Sequence, residues 1–381
     1  VVTLTSPVRQ ATSLFQDRFG SGPATVVSAP GRVNLLGEHT DYNGGPVLPI
    51  AIERRTAVAA SPAPRWEATS AIGPGVVRLE PEFLEHASWT GYVVGAIRVL
   101  QRRGLAPEGA RLAVASTLPI GAGLSSSAAL TVAVTRALLA LAGRRVTRAT
   151  IADIAYQAEH DEVGVRCGRM DQVAASLARP GHALLFETGD GSIRQVPLPL
   201  QVWILETGVV HRLSDGQFNL RRSECETGLR LIQQLGAQVS ALAEVRLAEL
   251  PRILLEIPAP WGPRIRHVVT EVARTREAAQ ALAARDLPRL GRLLVEGHQS
   301  LRADFQSTCP EADYIVETAV RHGAYGARLT GAGWGGAVVA LLPEDQESRI
   351  LGAVHLGFRD TFGRDPVVWA TRAAAGVRVD R

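Results

Sequence analysis

Lysine is missing from this sequence: all 41 basic residues among its 381 are arginine. That absence removes Schiff-base chemistry, pyridoxal phosphate anchoring, a Walker A loop and the catalytic lysine of protein kinases, each of which needs an ε-amino group. Any phosphate handled here is handled by backbone amides, arginine and metal. Cysteine is scarce as well. Cys167, Cys225 and Cys309 are odd in number and far apart, which fits a reducing cytoplasm and no disulfide framework. No apolar run reaches the roughly 18 residues of a membrane-spanning helix. The greasiest stretch, residues 128–141, is broken by Arg136, so no membrane partner is expected. Val1 is followed by no basic-then-apolar leader, and the cytoplasm is the expected location. The nine histidines show neither HExxH nor HxH spacing and no CxxC pair exists, which argues against zinc.

What is present is 46% hydrophobic and 20% charged residues. That is enough for one large or two moderate domains with real cores, and it excludes disorder, collagen and coiled coil as the main architecture. The net charge is +4, but 37 acids are interleaved with the arginines. Pairs such as Arg54-Arg55, Arg144-Arg145 and Arg221-Arg222 are therefore expected on a solvated or salt-bridged surface, and no nucleic-acid partner is expected. No motif encodes an oligomeric state, and a monomer is the expectation.

Strand-like and helix-like runs alternate, which predicts a mixed α and β fold. Residues 25–29 read as a short strand ending at Pro30-Gly31, and 47–52 and 56–60 as strands separated by a charged turn. Residues 111–117 read as a strand that meets a glycine loop and a long apolar helix over about 124–141. Residues 151–162 have helical spacing, while 182–186, 202–205 and 337–342 read as strands. The stretch 218–294 is mostly helical, interrupted at Pro251 and at Pro258 to Pro260. A composition shift near 200–215 marks the candidate domain boundary.

Four segments carry chemistry. The first, 28–45, packs Arg32, Glu38, His39, Asp41, two asparagines and several glycines between β-like runs. A hydroxyl-rich ligand needs this mix of acceptors, donors and close backbone, although acids that cap turns give the same composition. The second, 118–129, places Gly121, Ala122, Gly123, Leu124, Ser125, Ser126 and Ser127 after a strand and at the start of an apolar helix. Unpaired amides and the helix dipole favour an anion there without a lysine, and serine hydroxyls suit phosphate or Mg²⁺. The Rossmann alternative lacks an acid near Gly143-Arg144-Arg145, and a plain serine cap on a core helix is the other reading. The third, 158–172, sets Glu159 at the edge of an apolar stripe and Asp171 after a glycine-containing turn. The fourth, 331–336, formally matches GxGxxG but is followed by a strand, so it is not a dinucleotide fingerprint.

Together these segments resemble the GHMP kinase superfamily and, within it, the galactokinases. Residues 31–45 are similar to the galactokinase signature, 124–129 to the family's phosphate loop and 330–336 to its third motif. Residues 167–172, 295–302 and 309–311 resemble galactokinases too, and the likeness spans about 24–342. The resemblance implies an α+β, two-domain GHMP kinase fold: an N-terminal mixed-sheet domain (1–205), a C-terminal ferredoxin-like α/β domain (206–381), and an active site in the cleft between them. It implies ATP-dependent phosphorylation of the C1 hydroxyl of galactose with Mg²⁺.

Carried over by position, Asp171 would be the base for the anomeric hydroxyl. Arg32 would stabilise its carboxylate and the transferring phosphoryl group. Glu38, His39 and Asp41 would bind sugar hydroxyls, with the Gly168 backbone nearby. Residues Gly121 through Ser127 would hold the phosphates of ATP, and Ser127 and Glu159 the Mg²⁺. Trp89 and Tyr92 match positions near the adenine, and two core aromatics is an equal reading. There are two departures. Phe218 stands where galactokinases have a sugar-contacting tyrosine, and Arg169 replaces an apolar residue. They leave open a related sugar such as N-acetylgalactosamine, arabinose or galacturonate, for which Arg169 is a conceivable cation. A non-catalytic galactose sensor is the remaining alternative, and Ser127-Ala128, Asp171 and Arg32 speak against it.

Overall fold

The computed structural model describes residues 6–73, 75–85, 88–119, 121–209 and 216–381. Its strands are β1 (Thr25–Asn34), β2 (Pro46–Val47), β3 (Pro49–Pro62), β4 (Glu67–Ser70), β5 (Val76–Arg78), β6 (Ala110–Ser116), β7 (His182–Glu187) and β8 (Ile193–Pro197). They continue with β9 (Val202–Glu206), β10 (Gly326–Thr330), β11 (Ala337–Leu341), β12 (Val367–Thr371) and β13 (Arg378–Val379). The helices are α1 (Pro7–Phe19), α2 (Trp89–Arg102), α3 (Ser126–Leu141), α4 (Arg148–Gln157), α5 (Met170–Leu177) and α6 (Gln217–Gln234). After them come α7 (Leu250–Glu256), α8 (Trp261–Ala283), α9 (Leu287–Ser300), α10 (Pro310–Arg321) and α11 (Glu347–Phe362).

The first sheet runs β13-β1-β3-β6-β4-β5, with only β4 and β6 parallel. The central stretches of β1, β3 and β6 are buried on both sides because both faces are covered. Val26, Ala57, Ala59, Ala113 and Ala115 point to Ala11 and Phe15 of α1. The alternate residues Val27, Val58, Ala60, Leu112 and Val114 point to α2 and α3. The period of two makes this division automatic, and the small alanine face lets α1 lie close. β2, β7 and β8 form a small separate sheet.

The second large sheet is antiparallel, in the order β10-β11-β9-β12. Its strands occur along the chain as β9, helices, β10, β11, α11, β12, which is the βαββαβ arrangement of a ferredoxin-like domain. Ile204, Ala337 and Val339 face a core shared with Val33 and Leu36 of the first half, while Leu205, Val338 and Ala340 face α10 and α11. The two halves thus share one apolar layer.

Several sequence expectations change. The strand expected to stop at Pro30 continues to Asn34, because a register shift between Pro30 and Arg32 absorbs the proline's missing donor. The charged turn expected between 52 and 56 is the middle of β3. There Arg55 is buried and donates to Ser28 Oγ and O and to the Ala375 and Gly376 carbonyls, at 2.8–3.0 Å. Arg221 is buried too, donating to the Phe305 carbonyl at 2.8 Å, so neither pair containing these residues is simple surface. The division expected between 205 and 206 cuts β9 before its last residue. The helix expected over 151–162 ends at Gln157 and passes into a π-helical turn, Ala158–Glu162. A second π turn, Leu301–Phe305, ends α9. Among the described residues no helix is long and apolar enough to cross a membrane.

Candidate active site

Arg32 leaves β1 just beyond the bulge, and Asp171 is the second residue of α5. The guanidinium grips the carboxylate with two bonds: Nε donates to Oδ1 at 2.8 Å and Nη2 to Oδ2 at 2.9 Å. The third nitrogen, Nη1, donates to the Gly123 carbonyl at 2.6 Å. Such a fork fixes both planes and leaves the carboxylate no rotational freedom. Ser125 adds a third donor, its hydroxyl lying 2.5 Å from Asp171 Oδ2. The Asp171 side chain is still 23% exposed, against 7% for Arg32. A ligand hydroxyl can therefore reach the acid but not displace the arginine.

Ser125 has left-handed backbone, φ 58°, and makes no side-chain cap on α3. Its hydroxyl is engaged with Asp171, so the first amides of α3 receive no side-chain acceptor from it and point into the loop. The plain capping reading of these serines is thereby set aside. The loop faces the second glycine segment backbone to backbone: side chains at Gly331 or Gly336 would press on the Gly123 or Ala122 carbonyl at 2.9–3.0 Å. Ile120 of the expected loop lies outside the described residues.

The sugar-type segment closes the other side. Asp41 packs its carboxylate on Gly168, where any Cβ would overlap Oδ2, and this contact is what requires glycine there. Burial and then the Asp171 charge push the Asp41 carboxyl up to about 6. His39 has φ 63° and stacks on Phe305 at 4.2 Å between ring centres. Its Nε2 lies 3.0 Å from the Ala332 carbonyl and must donate, so Nδ1 accepts from the Tyr42 hydroxyl at 2.9 Å. Burial, then His267, holds the imidazole well below the usual range, so it stays neutral. Both its nitrogens already have protein partners. Glu38 is buried against Arg328, its Oε1 accepting from the Gly331 amide at 3.3 Å.

Glu159, from the first π turn, is 3% exposed and accepts from Thr131 Oγ1 at 2.9 Å and Gln172 Nε2 at 2.8 Å. Burial pushes its carboxyl up to about 7, with bonds from Gln172 and Ser127 opposing. The other end of the Gln172 amide, Oε1, is buried with no partner. A buried orphan oxygen beside a carboxylate and a serine hydroxyl is a donor set suited to a hard cation such as Mg²⁺. Among the described residues no three His, Cys, Asp or Glu side chains could hold a metal by themselves.

The same arrangement is shared with known proteins. A family model described as the galactokinase galactose-binding signature matches residues 13–62, and the N-terminal and C-terminal GHMP kinase models match 91–179 and 278–360. The galactokinase of Chloroflexus aggregans is 40% identical over 373 residues, covering 95% of each chain, and that of Roseiflexus sp. is 39% identical with the same coverage. This chain belongs to the galactokinase family. The crystal structure of Lactococcus lactis galactokinase complexed with galactose superposes with a TM-score of 0.93 at 30% identity, over 96% of this chain and 98% of that one. A mevalonate kinase structure at 19% identity, TM-score 0.64, shares the fold.

The galactokinase reading also sorts the departures. Phe218, on the first turn of α6, lies 5.8 Å from His39 and 5.6 Å from Tyr42 between ring centres, so it does reach the site. Arg169 does not. It pairs with Asp153 at 2.5 Å and lies over the Tyr156 ring, which removes it as a cation for a sugar carboxylate. Trp89 and Tyr92 lie half-buried on α2 against the first core, and burial and the neighbouring Glu159 push the Tyr92 phenol up to about 12. Sequence reasoning missed Tyr42, Gln172, Arg328 and Glu271. Tyr42 and Gln172 adjoin motif residues and could have been found; nothing local marks the other two.

Proposed function

We propose that this chain transfers the γ-phosphoryl group of ATP to the C1 hydroxyl of galactose, giving galactose 1-phosphate and ADP. The observation that carries the reading is the Arg32–Asp171–Ser125 constellation, set where the sugar signature meets the glycine loop. Asp171 accepts the proton of the C1 hydroxyl as that oxygen bonds to the γ-phosphorus and the bond to ADP breaks. Arg32 neutralises the acid and, from the same fork, the charge on the transferring group. The amides at the start of α3, with Gly121, Ala122, Gly123 and Leu124, position the phosphates. Glu159 and Ser127 would hold Mg²⁺, which supplies charge neutralisation on the phosphate oxygens when bound. Asp41 and the Gly168 backbone bind one edge of the sugar, Glu38 another, and Phe218 offers it an apolar wall; His39 would take a sugar hydroxyl by exchanging its bond to Tyr42 or Ala332. Trp89 and Tyr92 flank the adenine. A reducing cytoplasm is the compartment that three free thiols fit.

The test is ADP release with Mg-ATP across a sugar panel, run beside Asp171→Asn. The reading expects turnover on galactose and a drop of roughly 10²- to 10⁴-fold in the variant. Galactose that stabilises the fold without turnover would mean a sensor instead.

A further inference from the structure

A second arginine–carboxylate cluster lies behind the sugar-facing segment, sealed from solvent. Arg328 on β10 is fully buried, and so are Glu271 on α8 and, within 1%, Glu38. Arg328 Nη1 meets Glu271 Oε1 at 2.7 Å, and Nη2 lies 2.8 Å from Glu38 Oε2. Glu271 is saturated: it also accepts from the Gly37 amide and from Arg274 Nε, each at 2.9 Å. Glu38 is not. Its Oε2 and the facing Arg328 Nη2 are close but not aligned as a hydrogen bond, and its other oxygen has only the long bond from Gly331. The Glu38 carbonyl is held in turn by His267 Nε2 at 3.1 Å. Room for the guanidinium comes from Gly297 on α9, where a Cβ would collide with Arg328 Nη1 and come within 2.9 Å of Leu36 Cδ2.

We propose that Arg328 is a positioning residue for sugar binding. Seated by Gly297 and anchored by Glu271, it aims the Glu38 carboxylate and opposes its protonation, with acceptor capacity left for a ligand hydroxyl. The proposal rests on the galactose reading above and adds to it residues that touch no substrate. An isolated carboxylate buried this deeply has a strong drive to take up a proton, and only a fixed cation opposes it. The charged and titratable groups facing Glu38 are Arg328 from β10, Glu271 and His267 from α8, and Arg32 from β1. Burial still prevails without ligand, holding Glu38 at about 7. Moving the guanidinium away would weaken the largest attraction that opposes burial and shift Glu38 toward its protonated form.

Gly297→Ala makes that move without deleting any polar group. The expected result is a folded enzyme whose KM for galactose rises roughly tenfold to a hundredfold, the worth of a hydrogen bond to a charged group. The KM for ATP and kcat at saturating sugar should stay within about threefold, since the interaction is with bound sugar and not with the transition state. Adding Glu38→Gln to Gly297→Ala should then cost far less than Glu38→Gln alone, because the two act through one contact. Equal losses in both KM values and kcat, an unchanged galactose KM, or fully additive effects would each overturn the proposal. Should Gly297→Ala not fold, Arg274→Gln weakens the anchor from its outer side and must still raise the galactose KM alone. Wild-type turnover is measured in the same series. If it is absent, the fault lies with the assigned reaction, and calorimetric galactose affinity of the same variants decides the role of Arg328.

Discussion

Two arginines in this molecule grip carboxylates, and their surroundings give them opposite tasks. Arg32 holds Asp171 where the acid's side chain keeps 23% of its surface. Arg328 holds Glu271, both fully buried, and Glu38, whose side chain keeps only 1% of its surface. Water can solvate what Arg32 leaves unpaired, so the open pair tolerates loss of one partner and can exchange contacts with a ligand. The sealed cluster has no such reserve: removing one charge leaves the others buried without compensation. The difference teaches that exposure, more than pairing, separates an acid that a ligand can freely approach from one held mainly by its protein partners.

The sharpest way to break that comparison is to neutralise one acid in each cluster. Asp171→Asn should cost roughly 10²- to 10⁴-fold in kcat while unfolding free energy changes by no more than about 1 kcal/mol. Glu271→Gln should do the reverse in kind, losing about 3–5 kcal/mol of stability as Arg328 and Arg274 lose the shared negative charge and one acceptor oxygen becomes an NH2 donor. Urea unfolding and ADP-release kinetics on both variants decide it. If Asp171→Asn is the less stable of the two, the open and sealed assignments are wrong.

Ser125→Ala probes the open pair more finely. It removes one 2.5 Å hydroxyl bond to Asp171 and leaves the Arg32 fork in place. Since Ser125 does not cap α3, stability should hold while kcat drops roughly tenfold to a hundredfold, the loss of a hydrogen bond to a charged group. An unchanged kcat with a lower melting temperature would show the hydroxyl to be structural.

How much of this could be read beforehand follows the same division. The open site is built from contiguous segments: Arg32, Glu38, His39 and Asp41 lie in one stretch, and Ser125 and Asp171 in two others whose glycines announce close approach. Motif residues need their neighbours in sequence, so the pattern survives without coordinates. The sealed cluster joins Glu38 to residues 233 and 290 positions later, and Glu271 and Arg328 look locally like ordinary helical and strand charges. β10 itself went unread because Arg328 interrupts its apolar run. Pro30 hid the length of β1 for a related reason, since the bulge that accommodates it is a property of the pairing with β3. The ferredoxin-like domain was legible only through the family resemblance, since sheet order is set by partners far along the chain.

The pH dependence of sugar binding sharpens the comparison at constant covalent structure. Asp41 and Glu38 titrate near 6 and 7 because burial disfavours their charge. Both must be ionised to act as full acceptors of sugar hydroxyls, while His39, held neutral well below its usual value, adds no opposing titration. Galactose affinity should therefore be weakest near pH 5 and tighten as pH rises through 6 to 8. Binding then releases protons, and a protonated fraction of about nine-tenths one unit below a group's pKa sets a change of roughly tenfold per group. Calorimetry in buffers of different ionisation enthalpy measures both the affinity and the proton release. Flat affinity would mean that neither carboxylate charge is used by the sugar.

The smallest effect concerns Phe218, the departure from the expected family pattern whose ring packs against His39 and Tyr42. Phe218 sits on the first turn of α6 with its ring edge-on to Tyr42, whose own hydroxyl is committed to His39. The aromatic surface is thus present without the hydroxyl that the family resemblance leads one to expect at this position. Phe218→Tyr restores one donor on a ring already ordered by its neighbours, so little additional side-chain entropy is lost. Galactose KM should fall roughly twofold to tenfold, the range of one neutral hydrogen bond, with kcat unchanged because the contact is the same in ground and transition states. A rise in KM would carry a different lesson: the added oxygen would be crowding the site, and phenylalanine would be the residue that makes room for a sugar bulkier than galactose. Comparing galactose with N-acetylgalactosamine on both proteins separates these outcomes, since crowding penalises the larger sugar more than the smaller one.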